Sequence, residues 1–190
     1  MSFDSRAARL TMVESQVRTA DVTDYALTDA MRAVERESFC PDKPTLAYAD
    51  AELEYGPGLW LMRPREIGKL LQALLPRPGE RALCIAAPYA AAVLREMGLE
   101  VTVVDGAADL TNVPAGEFDV ILTEGAVAEC PDVWVAALAE GGRLGVVVRR
   151  GPVGKARLYL REEGRTGWRD GFDATPPYLP GLEPKAQFAF

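Results

Sequence analysis

The chain has 190 residues, a formal net charge of −7, 48% hydrophobic residues and 26% charged residues. This is enough apolar material to bury a core, which excludes a disordered chain, and an acidic balance with no basic run excludes a surface that tracks nucleic-acid phosphates. There is no histidine, so Ser–His, Cys–His and histidine–metal chemistry are excluded, and no Cys/Asp/Glu cluster has metal-ligand spacing.

In chain order, residues 4 to 18 read as a helix with Leu10, Val13 and Val17 on one face. Asp21 or Thr23 is placed to cap a second helix, whose Leu27, Ala30, Met31 and Val34 recur at helical spacing until Pro41 and Pro44. Residues 46 to 62 read as irregular or extended around a Gly56-Pro57-Gly58 turn; Trp60, with Leu59, Leu61 and Met62, either marks a binding surface or packs this region onto a sheet. Pro64 opens a third helix with the stripe Ile67, Leu70, Leu71, Leu74 and Leu75, ended by Pro76, Pro78 and Gly79.

Ala82 to Ala86 is apolar throughout, as in a strand buried on both faces of a parallel sheet. The turn Ala86-Ala87-Pro88, a helix from Tyr89 to Met97 stopped by Gly98, and a second strand from Val101 to Val104 ending in Asp105 complete a strand–helix–strand unit. Leu83 to Ile85 and Val101 to Val104 are expected at the centre of the core. Gly106 to Glu117 has room for one short crossover, not for a helix, a strand and a second crossover. Phe118 to Thr123 is the next strand, Pro131 to Ala139 a helix, and Arg143 to Arg149 a strand entered from Gly141-Gly142. Ala156 to Arg161 and Gly167 to Phe172 pair as a hairpin, and Phe188-Ala189-Phe190 alternates like a final strand.

No apolar run reaches membrane-span length, and MSFDSRAARL lacks the apolar core of a signal peptide. Cys40, Cys84 and Cys130 are odd in number and set in apolar context, which points away from a disulfide framework and toward a reducing cytoplasm. Cys84 reads as a small core hydrophobe.

Four stretches carry a family resemblance: MVESQVRTADVTDYALTDAMRAVERESFCP (12–41), LCIAAPYAAAVL (83–94), FDVILTEGAV (118–127) with LAEGGRLGVVV (138–148), and the tail from Phe172 through PYLPGLEP to Phe190. Together they resemble the protein-L-isoaspartate O-methyltransferase family, and the first is the most specific. The resemblance implies an α/β, Rossmann-like class I methyltransferase fold with a mostly parallel sheet. Here the sheet is shortened by loss of one helix–strand unit. An N-terminal helical annex over residues 1–78 precedes a methyltransferase domain over 79–190.

The implied activity is methyl transfer from S-adenosylmethionine to an isoaspartyl carboxylate in a damaged protein, with no metal. The sulfonium already activates the methyl, so catalysis is mostly proximity and in-line alignment. By family position, Asp105 binds ribose hydroxyls or is a turn carboxylate. Glu124 lines the ligand crevice at a strand end or caps a helix. Tyr89 follows the cofactor turn or is a packing residue, and Ala86 opens that turn.

Three departures bear on activity. The family's glycine-rich turn is Ala86-Ala87-Pro88, and Pro88 removes a backbone N–H at a helix start. The helix and strand that wall the adenine are missing after Asp105. The family's hydroxyl-bearing segment before the third helix is replaced here by Leu61-Met62-Arg63-Pro64, which has no hydroxyl. The expectation is therefore a family member with S-adenosylmethionine binding degraded or lost, a pseudoenzyme that serves as a non-catalytic binding or interaction protein for a protein partner. The alternative is a retained S-adenosylmethionine-dependent isoaspartyl methyltransferase. A third reading is a structural partner protein using a sheet edge exposed at the second strand.

Overall fold

The computed structural model describes residues 3–106 and 108–185. Two helices, α1 (Ser5–Met12) and α2 (Tyr25–Ala33), lead into a hairpin of β1 (Leu53–Gly56) and β2 (Leu59–Leu61) and then α3 (Pro64–Leu74). The remaining order is β3 (Arg81–Ile85), α4 (Pro88–Glu96), β4 (Glu100–Val104), β5 (Phe118–Val127), α5 (Asp132–Ala136), β6 (Leu138–Arg149), β7 (Gly154–Glu162) and β8 (Arg165–Ala174).

The main sheet has the order β4-β3-β5-β6-β7-β8. The first four strands are parallel and the β6–β7–β8 extension is antiparallel. This is the Rossmann-like α/β sheet expected, and β4 is an edge strand. Alternation along β3 divides the core in two. Ala82 and Cys84 face α2, α3 and α4, packing with Leu27, Met31, Leu70 and Leu94. Leu83 and Ile85 face the other way, toward Phe118, Ile121, Trp134 and Leu144.

Pro64 begins α3, and Ile67, Leu70, Leu71 and Leu74 are fully buried. The α1 Arg9 guanidinium, itself buried, donates to the carbonyls of Arg32 (3.3 Å) and Ala33 (3.0 Å), so α1 caps the end of α2.

Several expectations shift. A π-helical turn over Val13–Val17 follows α1 and changes the helical phase. The inward stripe is therefore Met12, Val13 and Val17, and Leu10 is exposed. Asp24, not Asp21 or Thr23, caps α2, accepting from the Leu27 N–H at 3.1 Å. Leu75 lies just past α3 in a left-handed conformation and is exposed. Val101 to Val104 is not central to the core: Thr102 and Val103 are exposed because β4 has a neighbour on one side only. The strand expected at Phe188-Ala189-Phe190 lies outside the described residues.

Glu66, in the first turn of α3, is 6% exposed and sits near Glu52 and Asp50. Burial first, and then the Glu52 charge, pushes its carboxyl from 4.5 up to about 7, against partial relief from Arg63 and Arg65. The folded state therefore holds a proton that the unfolded chain has released. The stabilising contribution is complete below about pH 4.5 and is lost as pH rises toward 7. Urea unfolding of the wild type is expected to lose roughly 1–2 kcal/mol across that window, allowing for solvent screening. Glu66→Gln should remove this slope.

Candidate functional site

In open α/β sheets ligands bind beyond the carboxyl ends of the parallel strands. Here those ends are Ile85 of β3, Val104 of β4 and the Thr123–Gly125 segment of β5. The turn after β3 keeps a special geometry without glycine. Ala86 has φ 48°, in the left-handed region, at a cost of about 1–2 kcal/mol for a residue with a Cβ. It is held there on both sides: its N–H donates to the Val104 carbonyl at 3.0 Å, and the Tyr55 hydroxyl donates to its carbonyl at 3.2 Å.

Glu124 is completely buried. One carboxylate oxygen accepts from the Ala90 N–H at 2.9 Å and the other from the Met62 N–H at 3.1 Å, and the Tyr89 N–H also donates to it. Two of these donors are at the start of α4, where unpaired N–H groups and the helix dipole favour an anion. The Pro88 nitrogen has no hydrogen to offer, and Glu124 uses the next two instead. Burial pushes the Glu124 carboxyl up, opposed by the charge of Arg36 and by these N–H groups. Of the two roles weighed for Glu124, the hydrogen bonds are those of a helix cap.

Arg36 is also fully buried. It donates to the carbonyls of Ala47 (2.9 Å) and Met62 (2.6 Å), and its guanidinium lies 4.5 Å from the centre of the Tyr89 ring. Tyr89 is buried against Arg36 and Phe39, and its hydroxyl has no hydrogen-bond partner among the described residues. Burial pushes that hydroxyl's pKa up. The geometry of Tyr89 is that of a packing residue.

Apolar side chains occupy the space around these ends. Leu59 of β2 is buried against the Ile85, Ala86 and Val104 cluster. A Cβ on Gly106 would lie 2.5 Å from a Leu59 methyl, so a larger residue after Asp105 would have to displace Leu59. Leu179 covers the β5 side, and a Cβ on Gly125 would lie 2.6 Å from it. The tail is fixed there by hydrogen bonds from Ala126 to Pro177 (2.9 Å) and from Leu179 to Ala126 (2.8 Å). The short connection after Asp105 is held by the Trp134 indole N–H, which donates to the Leu110 carbonyl at 2.7 Å.

Asp105 is exposed at the rim. Ala86 thus lies under Tyr55 and Leu59, Gly125 beside Glu124 lies against Leu179, Tyr89 packs on Arg36 and Phe39 on the other side of the sheet, and Asp105 is exposed. Sequence reasoning missed Leu179 and Arg36, and named Leu59 only beside Trp60 as marking a binding surface or packing onto the sheet, of which packing is what is found. Gly106 directly after Asp105 and Gly125 directly after Glu124 were the available signals of close approach. Among the described residues no group of three metal-ligating side chains is placed to hold an ion.

Two substitutions separate capping from packing. Glu124→Ala should cost about 3–5 kcal/mol in urea unfolding, because three N–H groups and the Arg36 charge lose their partner. Tyr89→Phe should leave stability unchanged or raise it by about 1 kcal/mol, since it removes a buried hydroxyl that bonds to nothing.

No family model matches the chain. Curated relatives do. A protein-L-isoaspartate O-methyltransferase from Methylorubrum extorquens is 34% identical over 189 aligned positions, covering 85% of this chain and 82% of the relative. One from Methylorubrum populi is 35% identical, covering 83% and 87%. Among solved structures, a Plasmodium falciparum protein described as a protein-L-isoaspartate O-methyltransferase in complex with S-adenosyl-L-homocysteine superimposes with a TM-score of 0.75 at 16% identity, covering 94% of this chain and 99% of that one. A second structure of that name gives a TM-score of 0.72 at 20% identity, covering 92% and 67%. These structures share the fold, and the curated relatives settle the kinship: the chain belongs to the protein-L-isoaspartate O-methyltransferase family.

Proposed function

We propose that this chain keeps the family's frame but has lost its cofactor crevice, and that it acts by binding a protein rather than by transferring a methyl group. The observation that carries this reading is the packing over the carboxyl ends of β3, β4 and β5. Leu59 packs with Ile85, Ala86 and Val104 and Leu179 lies against Gly125, and on this reading that packing leaves S-adenosylmethionine no room. Its carboxylate would seek the start of α4, where Glu124 already takes the N–H groups of Tyr89 and Ala90. A second carboxylate at this helix start would find those N–H groups already taken. In this proposal residues 1–78 form an annex whose hairpin and Arg36 plug and brace residues 79–190. The three cysteines are buried and free, which suits the cytoplasmic setting proposed for the chain. No helix among the described residues is long and apolar enough to cross a membrane.

A second reading is retained S-adenosylmethionine-dependent methyl transfer to isoaspartyl carboxylates. The shared name of the curated relatives favours it, and sequence similarity backs it more directly than it backs a loss of activity. On that reading Leu59 and Leu179 must swing away, leaving Ala86, Tyr89, Glu124 and Asp105 to line the opened space.

Thermal unfolding with S-adenosylmethionine, paired with a methyl-transfer assay on an isoaspartyl peptide, decides between them. Ligand at about a hundredfold over its dissociation constant adds roughly 2.7 kcal/mol to a protein that binds it. In a chain of this length that corresponds to a rise of about 5–10 °C in Tm. The first reading expects no shift and no labelled methyl ester. A saturable shift with transfer establishes the second.

A further inference from the structure

We propose that the groove between the end of α3 and the adjoining face of β7 and β8 is a docking site for an acidic peptide segment of a protein partner, which seats an apolar side chain between flanking carboxylates. The groove has a volume of about 630 Å³ and an apolar floor that includes Ala73, Leu75, Leu158 and Leu160. That volume is in the range that encloses a side chain or small ligand. It lies by Arg143 near the amino end of β5, the opposite end of the parallel strands from Ala86 and Glu124. The inference therefore stands on either reading of the crevice.

The first observation is Leu75. It follows α3 at φ 49°, where glycine is the usual residue, and is 61% exposed. A leucine there stores strain and leaves its side chain in water, so neither its backbone nor its burial serves folding. It is nevertheless held firmly. The half-buried Arg143 guanidinium donates to the carbonyls of Leu74 (2.9 Å) and Leu75 (2.8 Å) and to both Glu80 oxygens (2.9 and 3.0 Å). The exposed leucine is thus presented by a rigid clamp, which lowers the ordering cost of binding.

The second observation is charge. In a chain of net charge −7, the rim carries Arg77, Arg165 and Arg169, with Glu162 as its one acid. Arg165 and Arg169 form no ion pair among the described residues. On the opposite face of the same two strands, Lys155 is paired with Asp173 and Arg157 with Asp170. Register places Arg169 opposite Leu158 and Arg165 opposite Glu162, with Gly167 opposite Leu160. Nothing lies within 4 Å of where a Gly167 Cβ would be, so Leu160 stays uncovered between the two guanidinium groups. An apolar centre flanked by unpaired arginines is complementary to an apolar residue flanked by carboxylates.

A phage-displayed random dodecapeptide library selected on the full chain tests this. Enriched peptides are expected to carry at least two acidic residues around an aliphatic or aromatic one. In fluorescence anisotropy their affinity should fall at least tenfold in Leu75→Gly and again in the exposed pair Arg165→Glu/Arg169→Glu. Leu75→Gly should at the same time keep or raise Tm, because glycine suits the left-handed turn; a merely structural role for Leu75 predicts no loss of binding. The proposal is overturned if selection yields no peptide above an unrelated control protein, if enriched peptides are basic or lack acids, or if binding survives both variants.

Discussion

One buried carboxylate holds three parts of this fold together. Glu124 arrives on β5, caps the start of α4 through the N–H groups of Tyr89 and Ala90, and reaches the annex through the N–H of Met62. A carboxyl group with no exposed surface is costly unless its oxygens find donors, and a helix start supplies them. Arg36 adds a positive charge from the annex side and binds the Met62 carbonyl, so the same short segment meets the acid through its N–H and the base through its C=O. The segment around Met62 is locked to the sheet by polar geometry as well as by apolar contact.

That lock has a chemical consequence. A helix N-terminus such as the start of α4 can receive an anion, and here the Glu124 side chain takes the N–H groups of Tyr89 and Ala90 from within. With the polar site taken, the neighbouring space closes on apolar atoms: Leu59 against Gly106 and Leu179 against Gly125. The short connection after Asp105 makes the closure compatible with the sheet. It adds no strand beyond β4, so β4 is the edge, and Trp134 pins the connection through the Leu110 carbonyl. The glycine-free turn at Ala86, the short connection after Asp105 and the apolar contacts of Leu59 and Leu179 fit together as one packing arrangement.

Much of the frame was legible in residues. Pro64 and the Ile67, Leu70, Leu71, Leu74 stripe located α3, the apolar run through Leu83 located β3, and the scarcity of residues between Asp105 and Phe118 foretold a shortened sheet. Local pattern could not supply what depends on distant partners. Leu75 continues the helical stripe in sequence, but the helix ends one residue earlier and Arg143, far along the chain, fixes it outward. Leu10 fits a regular stripe until the π turn changes its phase. Val101 to Val104 is as apolar as β3, and only the sheet order makes it an edge. Glu124 sits where both a ligand-binding and a capping carboxylate would sit, and only the coordinates of Met62 and Ala90 distinguish the two.

The central claim is that the start of α4 is already occupied by Glu124. It is tested most directly by the backbone amide resonances of Met62, Tyr89 and Ala90 during titration with S-adenosylhomocysteine. The account predicts that all three stay unmoved into the millimolar range. A saturable shift of Tyr89 and Ala90, with Met62 released from its bond to Glu124, would contradict it and show that the crevice opens to ligand.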